Sequence, residues 1–489
     1  MTSVLFLLAL TLQAPEPGDL ACREIPFEVR TSAGRLLDVL ACDLTVLEDR
    51  ARPQGPRITL TFAHLLSTAE EPGPPLVYLH GGPGGSATDA VEDPEALSLW
   101  EPFLELGDVI LLDQRGCGRS KPSLARSLAE AAPPEAFLDR ASLGAFLAEA
   151  GGAVKAELEA EGVDPAAYTT EASADDVEDL RVALGVERVR LLGFSYGTHL
   201  GLSVLRRHGE RVERAVLIGV EGPDETEKLP GTYDVHLGKL SALIAADPLV
   251  GAAVPDFAAL LRRVLAKLEK EPLPVRIRQP TNGEEVTLRV GPDLLRTILV
   301  RDLGDTNDLP VFPRLLWTIE RGDPSVLRWF VQKRCGMTSY PTHLFTIDVA
   351  SGCSPARAER ITAEARTAVL AGAMNFRFPE VEAVWNVPRL GDDFRAPLVT
   401  SVPTLFLSGT LDANTPPHQA EAARWGFANG IHLVSRHGGH EDWTRNPKAR
   451  RAIRDFLAGE DVNGRDVDMP LLAFLPVEGP ASGHPSVDG

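Results

Sequence analysis

The pentapeptide Gly193-Phe194-Ser195-Tyr196-Gly197 sets a serine between two glycines, with the apolar run Val189 to Phe194 before it and a helix-like run after it. Alone, G-x-S-x-G says little in a chain with 43 glycines. Its context says more. A serine on the sharp turn from a buried strand into a helix exposes its hydroxyl, and small neighbours let other backbone come close. That hydroxyl becomes a nucleophile only with a base to take its proton and an acid to orient the base. When the serine follows a parallel strand, the acid and then the base come from loops after later strands. Asp412 in SGTLDANTPP and His440 in RHGGHEDW stand in those two places. His437 is nearer the end of its strand, and His440 is the better placed to reach back across the strand ends.

Acyl transfer through such a serine also needs two N–H donors for the oxyanion of the tetrahedral intermediate. The residue after the nucleophile, Tyr196, supplies one, and Gly82 in HGGPGGS is expected to supply the other. Glycines in that loop permit unusual φ and close approach to a substrate. The loop is no phosphate cradle, because it lacks both G-x-G-x-x-G and the Walker lysine. No cofactor and no metal is expected. His80 reads as a brace of this loop, Asp113 and Arg115 of DQRG as an internal pair fixing the next one, and His199 as helix packing.

These residues need a sheet to hold them. Apolar runs recur at PLVYLH (75–80), DVILLD (108–113), VRLLGF (189–194), RAVLIGV (214–220), PTLFLSG (403–409) and IHLVS (431–435). Near-continuous hydrophobicity marks strands covered on both faces, and so a mostly parallel α/β sheet between helices. Upstream, EIPFEVR, LLDVLACDLTVLED and RITLTFAHL read as leading, antiparallel strands. In SADDVEDLRVALG, Val177, Leu180 and Leu184 repeat at helical spacing behind Ser173 as the expected N-cap. About 180 residues separate RAVLIGV from PTLFLSG, far beyond an ordinary connection, so an inserted domain is expected there. It reads as mainly helical, with one hairpin turning at Asn282-Gly283. The expected organisation is an N-terminal segment at 1–20, core at 21–222, helical cap at 223–399, core again at 400–463 and a loosely held tail at 464–489.

At 489 residues the chain is long for one core, and its 44% hydrophobic and 24% charged residues are those of an ordinary globular protein. A formal net charge of −20 opposes binding to nucleic acid or an anionic membrane surface. The stretch Val4 to Leu12 has the length of a signal-peptide apolar region and is too short to span a bilayer. A secreted or periplasmic protein follows if it is a signal, and a cytoplasmic one if it is a buried segment. Of five cysteines, Cys22 with Cys42 and Cys335 with Cys353 are expected to pair in an oxidising compartment, leaving Cys117 reduced.

Taken in order, HGGPGG, DQRGCGRS, GFSYGT, SGTLDANTPP and GGH resemble the α/β-hydrolase serine peptidases of the proline iminopeptidase and tripeptidyl aminopeptidase group. The resemblance runs from about Cys42 to about Phe456. It implies the α/β-hydrolase fold, with an eight-stranded sheet, helices on both faces and a helical cap narrowing access to the site. It further implies an exo-acting peptidase that releases N-terminal residues from small peptides, with Ser195 as nucleophile, Asp412 as acid, His440 as base, and Gly82 and Tyr196 as oxyanion donors. Cys117 stands where the group more often has Thr or Val.

An esterase or other acyl hydrolase would use the same triad, and a triad-bearing scaffold that only binds partners would keep it without turnover. Epoxide and haloalkane hydrolases carry Asp where this chain has Ser195. What separates an aminopeptidase from an esterase is a site for the substrate's α-ammonium. Glu221, just after RAVLIGV, is the first candidate and Asp348 in HLFTIDVASG the second.

Overall fold

The six apolar runs become strands of one nine-stranded sheet in the computed structural model, which describes residues 16–26, 28–128, 132–279, 282–335, 339–375 and 378–479. In chain order the strands are β1 (Leu20–Glu24), β2 (Val39–Leu47), β3 (Arg57–Leu65), β4 (Gly73–Leu79), β5 (Gly107–Leu112), β6 (Val189–Phe194), β7 (Val212–Ile218), β8 (Thr404–Gly409) and β9 (Gly430–Ser435). Across the sheet they lie in the order β1, β2, β3, β5, β4, β6, β7, β8, β9. The leading strands pair antiparallel as far as the β3–β5 contact, and every later neighbour is parallel.

The sheet has one strand more than the eight expected. Its first strand is Leu20–Glu24, and of EIPFEVR only Glu24 lies in it. Pro26 has no N–H to give a ladder, which ends the pairing there. Cys22 sits opposite Cys42 in the β1–β2 register, and the two form a disulfide. The apolar stretch Val4 to Leu12 lies outside the described residues.

Successive residues of the central strands point to opposite faces, and both faces are covered. Leu191 and Leu217 pack with Ala174, Val177 and Leu200 on one side. Leu192 and Val216 pack with Ile453, Phe456 and Leu457 on the other. The helix expected to start at Ser173 begins earlier, at Thr170, because the Thr169 hydroxyl accepts from Ala172 N; Ser173 is then buried inside it.

Between β7 and β8 the chain builds five longer helices: Pro230–Ala246, Phe257–Lys270, Pro292–Asp302, Phe312–Glu320 and Ser325–Cys335. Leu261, Val264, Ile298, Leu315 and Phe330 give them a core of their own, which also takes in Leu411 and Ala413 beside Asp412. Strands Leu273–Arg278 and Glu285–Val290 form the hairpin, with Gly283 at φ +74° in its turn. A further layer pairs helix Arg140–Ala160 with helix Pro379–Trp385 around Leu147, Val154, Tyr340 and Trp385.

Two expectations fail in this region. Cys335 and Cys353 are buried but not joined. The chain between them is pinned elsewhere, Ser339–Tyr340 pairing with Arg126–Ser127 and the Tyr340 hydroxyl donating to Leu147 O at 2.8 Å. The segment after Gly464 is not loose through residue 479: Val467, Phe474 and Val477 are buried, and Leu475 N donates to Pro310 O.

Candidate active site

β6 ends at Phe194 and helix Tyr196–His208 begins one residue later, so Ser195 alone makes the turn, at φ 54° and ψ −124°. Non-glycine residues rarely adopt that conformation. The turn is fixed from both sides, Ser195 N donating to Ile218 O and Thr198 N to Ser195 O. The flanking glycines are there for want of room. A Cβ on Gly197 would stand 1.9 Å from Leu79 O, and one on Gly193 would stand 2.4 Å from Gly197 O.

The structure brings Ser195, His440 and Asp412 into one line. His440 Nε2 is 2.9 Å from Ser195 Oγ, and His440 Nδ1 is 2.8 Å from Asp412 Oδ2. Asp412 also accepts from Asn414 N, Thr415 N and the Thr415 hydroxyl, so its carboxylate is immobilised. Burial alone would raise the Asp412 pKa, but His440 and these hydrogen bonds outweigh it and hold the acid ionised. Burial likewise opposes charge on His440, and the Asp412 carboxylate more than offsets it, so the imidazole pKa stands above its ordinary value. Nδ1 carries its proton toward Asp412, which leaves Nε2 free to accept from the serine hydroxyl.

The loop carrying His440 is held by groups with no sequence motif. His440 N donates to Gly304 O in the insert at 2.9 Å. Asp442 accepts from Gly439 N and from the Thr306 hydroxyl. The Phe194 and His440 rings lie 5.0 Å apart, and Phe194 also packs on Trp443. His437, at φ 60°, turns the loop, its N–H donating to the Thr410 hydroxyl.

Gly82, at φ +127°, lies on the wall of the same cavity as Ser195, and Tyr196 opens the helix behind the serine. Asp113 and Arg115 are not partners. Asp113 accepts from Ala87 N, Thr88 N and Arg119 N and so ties the HGGPGG loop to its own. Arg115 is fully buried and forks onto Asp176 instead. His343 of the insert also reaches this region, its Nε2 3.0 Å from Gly116 O and its ring against Gly84. Cys117 is buried, and burial and Asp113 push its thiol up to about 12, so it offers no nucleophile.

Ser195 opens into a cavity of about 380 Å³ whose wall includes both expected ammonium ligands, Glu221 and Asp348. Glu221 is not alone. Lys228 Nζ lies 2.6 Å from its Oε2, and His199 stands behind it, 4.0 Å from its Oε1. Burial raises the Glu221 pKa, but Lys228 and His199 lower it further, so the carboxylate is ionised. Asp348 ends a π-helical turn, Leu344–Asp348, and among the described residues its side chain is given no hydrogen bond or ion pair. Burial and the charge on Glu221 raise its pKa well above the ordinary carboxylate range. Sequence reasoning missed Lys228 and Gly304, since nothing local marks a lysine or a loop glycine as a neighbour of a site far along the chain.

Among the described residues no helix is long and apolar enough to cross a membrane. Residues 74–293 match the α/β hydrolase fold family and residues 377–468 a family of TAP-like proteins; the first span holds Gly82 and Ser195, the second Asp412 and His440. The "Probable proline iminopeptidase" of Streptomyces coelicolor is 34% identical over 151 residues, 30% of this chain and 33% of that one. The proline iminopeptidase of Neisseria meningitidis is 28% identical over 148 residues, again 30% and 33%. Serine protease Hip1 of Mycobacterium bovis is 28% identical over 213 residues, 42% of this chain and 39% of that one. The chain thus spans about a third of the length of the curated relatives it matches.

Proposed function

Because this chain belongs to the α/β hydrolases, in the group of the proline iminopeptidases and TAP-like proteins, we propose that it is a serine exopeptidase that removes N-terminal residues from short peptides. The observation that carries the reading beyond serine hydrolase is the cavity wall. Asp348 faces the same space as Ser195 without a cation of its own, a place where a substrate's α-ammonium would be held. In a shielded cavity such a pair is far stronger than in water and fixes the register of the scissile bond.

In the proposed mechanism His440 Nε2 takes the Ser195 proton as Oγ attacks the scissile carbonyl. The oxyanion is received by the N–H groups of Gly82 and Tyr196, and Asp412 steadies the imidazolium. His440 then gives the proton to the leaving amine, the C–N bond breaks, and the released N-terminal portion remains as an ester on Ser195. Water, deprotonated by His440, attacks that ester, and the serine recovers its proton as the acid leaves. The Cys22–Cys42 bridge supports export to an oxidising compartment as part of the same reading.

The test is a panel of aminoacyl, prolyl and tripeptidyl chromogenic amides, each with a free and a blocked amino end, run beside p-nitrophenyl esters. Turnover of free-amine amides well above their blocked forms is expected. Rapid ester hydrolysis with no amide cleavage would replace the reading with an esterase.

A further inference from the structure

The cavity that holds Ser195 is charged in two senses. Asp348 and Glu221 line part of it, and two arginines, Arg301 and Arg334, line another. Arg301 stands in the last turn of helix Pro292–Asp302, and Arg334 in the last turn of helix Ser325–Cys335. Arg301 is exposed, and the cavity is where it faces.

The charges beneath them leave a surplus. Buried Asp302 accepts from Arg334 through Nε at 3.1 Å and through its terminal nitrogen, and from Lys333 Nζ at 3.2 Å. Lys333 reaches Asp308 as well, at 2.6 Å. Three cations therefore share two acids. One of the acids is weak, since burial pushes the Asp308 carboxyl up to about 6. Burial and the Arg334 charge lower the Arg301 pKa, the mark of two guanidiniums facing one space. Guanidinium forks match a carboxylate in plane and spacing, and in a shielded cavity an anion between them relieves the repulsion.

The arginines are tied to the loops of the proton-transfer machinery. Three residues after Arg301 the carbonyl of Gly304 accepts from His440 N. Tyr233 lines the cavity with them and donates its hydroxyl to Asn414 Oδ1, two residues after Asp412. The leaving amine must take its proton from His440, so the leaving fragment lies on the flank of the cavity that these loops form.

We infer that Arg301 and Arg334 form an anion subsite that receives a carboxylate on the leaving fragment of the substrate. The inference rests on the peptidase reading for its choice of ligand. The carboxylate is either the C-terminus of a one-residue leaving fragment or an acidic side chain at its first position.

Both sources can be read with the acyl part held constant, as whichever unit the amide panel cleaves best. Four leaving groups are compared: alanine, alanine amide, aspartic acid amide and lysine amide. Alanine over its amide reads the main-chain carboxylate, and aspartic over lysine amide reads the side chain. At least one pair should differ about tenfold or more in kcat/KM, in favour of the anion. Arg301→Gln should bring that ratio close to one, and Arg301→Lys should keep part of it. Arg334→Lys, which retains a charge for Asp302, is the second variant, with its fold checked by thermal unfolding. Equal rates within both pairs, or a ratio that survives both Arg301→Gln and Arg334→Lys, overturns the subsite.

A second readout needs no peptide hydrolysis. Glutarate should slow phosphonylation of Ser195 more than glutaramide does, and Arg301→Gln should abolish the difference. If no peptide is cleaved but glutarate still protects, the peptidase reading fails and the subsite stands. If peptides are cleaved and charge matters in neither assay, the subsite fails alone.

Discussion

Lys228 Nζ lies 2.6 Å from Glu221 Oε2, where the chain leaves β7 for the insert. A second bond to Glu225 O at 2.9 Å, and the pairing of its backbone N–H and C=O with the Asn375 side chain, hold the lysine in place. A carboxylate so matched has little net charge to offer an incoming ammonium. Glu221 therefore serves by cancelling Lys228, and Asp348 is left to meet the substrate.

Substitutions at the three residues separate these roles. Asp348→Asn should lower the ratio of kcat/KM for free-amine over blocked substrates by about tenfold. Glu221→Gln should lower it too, because it bares the Lys228 charge inside the cavity. The double variant Glu221→Gln with Lys228→Met should then regain most of the loss. A double variant no better than Glu221→Gln alone would return Glu221 to direct contact with the ammonium.

The base sets the acid side of the pH profile. His440 must be neutral to accept the serine proton, and its pKa is raised because Asp412 outweighs burial. The imidazole thus stays protonated to higher pH than an ordinary histidine, and kcat/KM should rise through a limb displaced upward. Asp412→Asn removes the charge responsible and leaves burial, so the limb should move to lower pH while the rate falls about 10⁴-fold. Profiles normalised by active-site titration are the measurement; a limb that stays in place under Asp412→Asn would mean that another group controls it.

The turn at Ser195 can be tested through its glycine. A Cβ at Gly197 would meet Leu79 O at 1.9 Å, which is backbone of β4 and cannot swing aside as a side chain can. Gly197→Ala should cost about 3 kcal/mol or more, at the upper end of overpacking, despite the higher helix propensity of alanine. Thermal unfolding of the variant with an intact Ser195 gives the answer. A shift of less than a degree or two would mean that the turn yields more easily than its packing implies.

Some of this was legible in the sequence for a physical reason. Strands buried on both faces leave apolar runs, and a parallel sheet puts every following loop at the same edge, so Ser195, Asp412 and His440 could be placed from order alone. Partnership across distant segments leaves no such trace. Asp113 and Arg115 are two residues apart and look like a pair, yet each side chain points to a different loop. Cys335 and Cys353 are close in sequence, but Tyr340 between them is drawn to Leu147. Lys228 carries no motif that would announce Glu221 as its neighbour. In each case the tertiary packing of a third segment decided the contact.

The ion pair behind the DQRG loop allows a prediction about stability rather than rate. Arg115 is wholly buried, and its guanidinium donates to both oxygens of Asp176 at 2.7 Å and to the carbonyls of Glu48 and Ala167 at 2.7 Å. Asp176 has a second cation, Arg50, at 2.6 Å. The two partners are therefore not equivalent. Asp176→Ala strands the buried guanidinium and should cost about 3–5 kcal/mol. Arg115→Met removes that charge and leaves Asp176 paired with Arg50, so its cost should come mainly from the carbonyls left without a donor, about 1–3 kcal/mol each. Arg115→Lys should rescue poorly, because an ammonium cannot span the carboxylate and two carbonyls in one plane. Thermal unfolding would rank the three, and kcat per titrated Ser195 should change little in whatever stays folded, since none of these groups faces the cavity. A large drop in kcat per active site with the midpoint unchanged would instead make Arg115 a positioning residue for the HGGPGG loop.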